Sequence, residues 1–256
     1  MNILFTLCGR AGSKGVKGKN VRDFLQVPLV WYSMANIALY MERYGQGDDI
    51  KVVLNTDSEP LKDLVCKVKD VSVTIIHREE CLAGDMVPKV AVILDSLNKA
   101  EEVFVQKFDM VVDLDISSPL RTVEDVKNAI DRKKLRNDVD VVYSVVPSRR
   151  NPYFNMVKDD KGFFIKAIPS NFTTRQEAPV FYDMNASIYA YSPDALRKKE
   201  HATFFNSGCD AVVMKETGIL DIDSEEDYEL MQVIAKYLYE KDPLFSEILN
   251  KAGNWR

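Results

Sequence analysis

Short apolar runs recur along this chain, and stretches with helical spacing separate them. The runs are residues 3–8, 51–54, 71–76, 108–114 and 139–146, each of strand length and apolar enough to be buried on both faces. Between them, Ser58 caps a helix that carries Leu61, Leu64, Val65 and Val68, and a second helix begins at Pro88 and runs to Leu97. Thr122-Val123-Glu124-Asp125 opens a third with a capping-box pattern. Strands that alternate with helices in this way form a parallel sheet covered by helices. The expected fold is α/β, a three-layer, mostly parallel Rossmann-like sheet. At 256 residues the chain can bury such a core as a single domain over residues 1–256.

The rhythm breaks between residues 148 and 182. Here Arg149-Arg150-Asn151-Pro152 precedes a turn, Lys158-Asp159-Asp160-Lys161-Gly162, and then Phe163-Phe164-Ile165. This pattern predicts an antiparallel ribbon followed by a long loop. Tyr153, Phe154, Phe163 and Phe164 would lie exposed on it, so the segment reads as an inserted antiparallel dimerisation arm of a homodimer. Residues 225–240 form a final helix, in which Leu230, Val233, Ile234 and Tyr237 are expected to pack into the core.

Ligands of open α/β sheets bind outside the carboxyl ends of the strands. The first run is followed there by a loop with glycines at positions 9, 12, 15 and 18, interleaved with Arg10, Lys14, Lys17 and Lys19. Glycines let the backbone approach a ligand closely, and successive N–H groups beside cations suit a polyanion such as a nucleoside triphosphate. The loop is not a Walker A motif, because Ser13 and Asn20 stand where glycine and Ser or Thr are needed, and it is not G-x-G-x-x-G. A solvated basic loop is the plainer alternative.

Two acidic pairs, Asp113-Leu114-Asp115 and Asp221-Ile222-Asp223, are each read as ending a strand. Residues i and i+2 of an extended segment point the same way, so each pair repels itself unless a cation lies between the carboxylates. Oxygen ligands of this kind suit Mg²⁺ or Mn²⁺ held together with substrate phosphates. Each pair also has a structural reading: Asp223 as a helix cap, Asp113 as a buried carboxylate bonded to a neighbouring loop. Asp57, after Asn55-Thr56, can be a strand-end turn.

Composition narrows the function classes. A net charge of −5 argues against broad nucleic-acid binding. The 4 cysteines are scattered, with no C-x-x-C, which indicates neither a zinc site nor a disulfide framework; Cys8 and Cys209 read as core thiols. With only 2 histidines, His77 and His201, histidine-based chemistry is not expected. No apolar run reaches membrane-spanning length and none reads as a signal peptide, so a cytoplasmic location with no membrane partner is expected.

In five places the chain resembles the CMP-acylneuraminate synthetases (acylneuraminate cytidylyltransferases), a family related to the CMP-Kdo synthetases. These are Arg10-Ala11-Gly12-Ser13-Lys14-Gly15 with Lys19-Asn20; Asn55-Thr56-Asp57; Ser117-Ser118-Pro119-Leu120-Arg121-Thr122; Asn185-Ala186-Ser187-Ile188-Tyr189; and Asp221-Ile222-Asp223-Ser224-Glu225-Glu226-Asp227. The resemblance implies that the anomeric hydroxyl of an acidic nine-carbon keto-sugar attacks the α-phosphate of CTP, releasing pyrophosphate. It implies Arg10 and Lys19 on the triphosphate, Gly12, Ser13, Lys14, Gly15 and Asn20 around the nucleotide, and Asp221 and Asp223 on Mg²⁺. Arg78 and Asp85 would line the nucleotide pocket, and Ser117, Ser118, Arg175 and Asn185 would face the sugar, Arg175 taking its carboxylate. The chain departs from many sialic-acid members at Asp115, where they carry glutamine, and at Asp183, where they carry arginine; Ala186 replaces a glycine. Asp115 then serves either the sugar or, with Asp221 and Asp223, the metal, and a legionaminic- or pseudaminic-type sugar becomes a candidate substrate. Two other readings stay open at this level: a metal-dependent glycosyltransferase using Asp113-Leu114-Asp115, and a non-catalytic nucleotide-binding protein.

Overall fold

The first apolar run forms β1 (Asn2–Cys8), an interior strand of a seven-stranded sheet. A computed structural model describes every residue except 13–14, 199–204, 207 and 219–220, so Ser13, Lys14 and His201 lie outside the described residues. The other expected runs appear as β4 (Asp49–Thr56), β5 (Val73–His77), β6 (Met110–Leu114) and β7 (Val141–Pro147). A two-residue ribbon, β2 (Asp23–Phe24) with β3 (Val27–Pro28), sits apart from the main sheet. Later in the chain come β8 (Val157–Asp160), β9 (Phe163–Lys166), β10 (Tyr182–Tyr191) and β11 (Cys209–Val213). The sheet order is β11-β7-β10-β6-β1-β4-β5. All neighbours run parallel except β10, which is antiparallel to both β6 and β7.

The helices are α1 (Leu29–Arg43), α2 (Glu59–Cys66), α3 (Lys89–Phe104), α4 (Val123–Leu135), α5 (Pro193–Lys198), α6 (Glu225–Lys241) and α7 (Pro243–Gly253). Four of them, α2, α3, α4 and α6, begin where the sequence says. The Ser58 hydroxyl accepts the Leu61 N–H at the start of α2, and Thr122 with Asp125 makes both bonds of a capping box on α4. Side-chain alternation assigns each strand's two faces. Ile3, Phe5 and Leu7 of β1 pack in the larger core with α1, α2, α4, α6 and α7, while Leu4 packs with α3 and α5 on the other face. By the same alternation Thr6, Cys8 and Asp113 point to the α3 side. That register decides what the active end of the sheet looks like.

Four sequence readings are corrected. First, residues 221–223 do not end a strand: they lie in the loop just before α6, well past the end of β11. Second, Ser224, not Asp223, caps α6, accepting the Asp227 N–H while the Asp227 carboxylate receives the Ser224 N–H. Third, of the expected α6 stripe only Ile234 packs against the core, and the rest faces outward. Leu230, Val233 and Tyr237 are exposed, and the helix buries Tyr228, Met231, Ala235, Leu238 and Tyr239 instead. Both sets have helical spacing, so periodicity alone could not choose between them. Fourth, Tyr153 is half-buried against the rings of Phe172 and Phe181, 6.0 and 5.8 Å away, and Phe154 is also half-buried.

The inserted segment does hold the expected ribbon, β8 against β9, joined by Lys161 and Gly162, both at positive φ as a tight hairpin turn requires. Phe163 and Phe164 on it are 75% and 77% exposed. Among the described residues, no helix is long and apolar enough to cross a membrane.

Candidate active site

A cleft of about 310 Å³ opens at the carboxyl ends of β1, β5 and β6. The glycine loop forms one wall. Its backbone is held in place from a neighbouring strand end and from within: the Asp57 carboxylate accepts the Ala11 N–H at 2.7 Å, and the Asn20 amide donates to the Arg10 carbonyl at 3.2 Å. Asp57 is therefore a loop anchor. Gly12 adopts φ +74°, and Gly15 passes so close to the acidic loop that a Cβ there would lie 1.9 Å from the Asp223 carbonyl oxygen. No residue with a side chain fits at position 15 without moving one loop or the other.

Three cations that line the cleft, Arg10, Lys19 and Arg78, already have partners. The Arg10 guanidinium pairs with Asp85 and donates to the Ala83 carbonyl at 3.3 Å. The Lys19 ammonium donates to the Ile222 carbonyl and lies 3.4 Å from Asp223. Arg78 is buried and spent on Asn55, donating to its side-chain oxygen and its carbonyl, both at 2.9 Å; burial lowers its pKa. Arg10, Gly15, Lys19, Asn20, Arg78, Asp85, Asp115, Ser117 and Asp223 all line the one cleft.

The acidic loop is placed by a backbone contact. The Ile222 N–H donates to the Ser117 carbonyl at 3.1 Å, which sets Asp221 and Asp223 beside the segment that follows β6. Burial, then the like charges of Asp223 and Asp115, push the Asp221 carboxyl up to about 6, against the pull of Lys19. That excess of negative charge, on oxygen donors only, fits a hard divalent cation such as Mg²⁺ at Asp221 and Asp223. Among the described residues, no three or more His, Cys, Asp or Glu side chains converge as a ready metal cage.

Asp115 belongs to a different cluster. One of its oxygens accepts from the Ser117 N–H and hydroxyl at 2.8 and 2.7 Å, and the other lies 2.5 Å from the Lys89 ammonium. Burial opposes its ionisation, but Lys89 and Ser117 prevail and hold Asp115 well below the usual carboxylate range. Behind it, fully buried Arg121 donates to the carbonyls of Asp115, Ser118 and Ser187. Sequence reading had placed Arg121 in a motif without a role; it is the clamp that ties the Ser117-Ser118 segment to β10. Lys89 was missed entirely, because nothing local distinguishes it from any lysine opening a helix.

Two expected sugar contacts lie away from the cleft. Asn185 is buried, its oxygen accepting from the Ser144 hydroxyl at 2.5 Å and its amide directed at the Met214 sulfur. Arg175 lies exposed on the inserted segment, bonded to the Arg149 carbonyl at 3.0 Å. Asp183 is exposed on β10, and Arg149 pairs with Glu216. Cys8 does reach the cleft, and burial and the neighbouring Asp113 push its thiol pKa up, which disfavours the thiolate.

The chain is similar to known proteins in sequence and in fold. The chain is 38% identical over 235 residues to the CMP-N,N'-diacetyllegionaminic acid synthase of Campylobacter jejuni, covering 91% of this chain and 94% of that one. It is 37% identical over 237 residues to the post-translational flagellin modification protein B of Campylobacter coli, covering 91% and 95%. In fold it is similar to a CMP:2-keto-3-deoxy-manno-octonic acid synthetase solved with CTP, with a TM-score of 0.66 at 15% identity over 93% of this chain and 99% of the other. A profile of the cytidylyltransferases matches residues 7–232, nearly the whole of the sheet and both acidic pairs, and the chain belongs to that cytidylyltransferase family.

Proposed function

We propose that this protein activates an acidic nonulosonic sugar with CTP. The sugar's anomeric oxygen bonds to the α-phosphorus, the bond from that phosphorus to the β-phosphate bridge breaks, the hydroxyl proton is lost, and CMP-sugar and pyrophosphate leave. The observation that carries this reading is the meeting of two loops. Lys19, from the glycine loop, lies 3.4 Å from Asp223, so a cation for phosphate and a carboxylate for metal face each other across one cleft. Phosphoryl transfer needs little else: positioning and neutralisation of the charge on the phosphates. Mg²⁺, when bound, would neutralise phosphate oxygens and polarise the α-phosphorus. Asp221 and Asp223 would hold it. Arg10 and Lys19 would exchange their protein carboxylates for the triphosphate, with Gly12, Ser13, Lys14 and Gly15 lining the nucleotide's path.

On the sugar side, Ser117, Ser118 and Asp115 would meet the hydroxyl and amide groups. The acidic Asp115, and the legionaminic acid synthase among the relatives, favour a diacetylated nonulosonic acid over N-acetylneuraminic acid. The exposed Phe163 and Phe164 support a homodimer through residues 148–182. An arm reaching the partner's cleft would carry Arg175 toward the sugar carboxylate. Four free, scattered cysteines suit the reducing cytoplasm.

The test is pyrophosphate release from CTP and Mg²⁺ with a panel of acidic keto-sugars. Release with legionaminic-type sugars, weaker with N-acetylneuraminic acid, is expected. CTP binding without release from any of them would overturn the assignment. Light scattering of the wild type and of Phe163→Asp/Phe164→Asp tests the dimer, which should fall to half its mass.

A further inference from the structure

Lys89 opens α3 and points its ammonium at the end of β6. Two carboxylate oxygens receive it, Asp113 Oδ2 at 2.7 Å and Asp115 Oδ2 at 2.5 Å. Asp113 is fully buried. Its Oδ1 accepts the Thr6 hydroxyl at 2.7 Å, but its Oδ2 has no well-aligned hydrogen bond, so the ammonium is what meets its charge. The face of Tyr189 closes the far side, 5.9 Å from the ammonium.

This is the geometry a divalent ion would adopt between the carboxylates of an Asp-x-Asp pair, with an amino group in its place. A tethered ammonium needs no recruitment from solution and competes at high effective concentration with a free ion that must also shed water. Among the described residues, no lysine lies between Asp221 and Asp223 in the same way; Lys19 approaches Asp223 from one side, at 3.4 Å. Lys89 also reaches that second pair indirectly. It fixes Asp115, which holds Ser117 by two hydrogen bonds, and the Ser117 carbonyl receives the Ile222 N–H.

We propose that Lys89 fills the cation position of the Asp113–Asp115 pair, confining divalent metal to Asp221 and Asp223 and keeping Asp115 as a fixed hydrogen-bond acceptor on the cleft floor. Lys89 is thus a positioning residue that sets the metal count. The inference rests on the assignment of Asp221 and Asp223 to the metal, and its test separates the two.

Equilibrium dialysis against Mn²⁺ with CTP and no sugar counts protein-bound ions without turnover. Asp115→Asn should leave the count of the wild type unchanged, and Lys89→Arg should as well. Lys89→Met should gain one Mn²⁺ per chain, and Lys89→Met/Asp115→Asn should lose it again. A lower count in Asp115→Asn, or a folded Lys89→Met with no added ion, would overturn the role of Lys89. If Lys89→Met does not fold, Asp115→Asn and Lys89→Arg still decide the matter. Asp223→Asn reports separately: a full count there would refute the metal assignment itself and not the occupation of the other pair.

Discussion

The two Asp-x-Asp pairs carry the same residues at the same spacing and live in opposite electrostatic settings. At the end of β6, the ammonium of Lys89 lies between Asp113 and Asp115, and Asp115 stays ionised far into acid. In the loop before α6, Asp221 and Asp223 repel each other with one lysine to the side, and Asp221 is pushed up to about 6. The difference teaches that a pair of carboxylates is open to a metal ion only where the fold withholds a counter-ion. Helix α3 supplies one to the first pair because strand alternation turns Asp113 and Thr6 toward it. Among the described residues, no cation is packed between the second.

The largest effect that could break this contrast is on turnover. Asp223→Asn should cut pyrophosphate release by on the order of a thousandfold while leaving the fold intact, since charge neutralisation in a dry site is worth several kcal/mol. Asp115→Asn should instead raise the KM for the sugar and leave the Mg²⁺ dependence where it was. Equal shifts in Mg²⁺ dependence for the two would erase the distinction.

Next is the contact that sets the second pair in place. Gly15→Ala forces its Cβ into the Asp223 carbonyl, and displacing that loop by about 1 Å should cost about a hundredfold in kcat/KM for CTP. A loss of similar size is expected for Arg10→Ala and Lys19→Ala with every sugar alike. If Gly15→Ala is nearly as active as the wild type, the two loops do not need their close approach.

A pH experiment sharpens the same contrast. Protons compete with a divalent ion for Asp221, so metal affinity should fall about tenfold per pH unit below about 6, as displacement of one proton requires. The stability effect has the opposite sense. The folded chain binds this proton more tightly than the unfolded chain does, so unfolding free energy without metal should rise as pH drops from about 6 toward the ordinary aspartate value. Asp221→Asn should therefore raise Tm near neutral pH while abolishing activity. A lower Tm in metal-free buffer would show that the carboxylate is not under strain.

The smallest effect lies behind the first pair. Ala186 sits at φ +53° in the bulge of β10, next to Ser187, whose carbonyl receives both Arg121 and the Asp115 N–H. Ala186→Gly should stabilise the protein by about 1 kcal/mol, read by chemical denaturation, because a non-glycine residue pays that much in the left-handed region. No gain would mean that the bulge is held without strain.

The sequence alone determined the alternation of strands and helices, the capped starts of α2 and α4, the ribbon at residues 157–166 and the loops that would carry the chemistry. These are local properties, written in apolar spacing, capping residues and turn residues that act within a few positions of one another. It could name both acidic pairs and say that each needs a cation. It could not say which cation, because the answer for Asp113 and Asp115 comes from Lys89, placed there by the packing of α3 on the sheet. Nor could it orient α6, where two helical stripes compete and only the neighbouring helix and sheet bury one of them. It placed Asn185 at the sugar, whereas the fold spends that side chain on Ser144 and Met214. Burial and charge compensation are sums over residues distant in the chain, and tertiary structure is what brings those residues together.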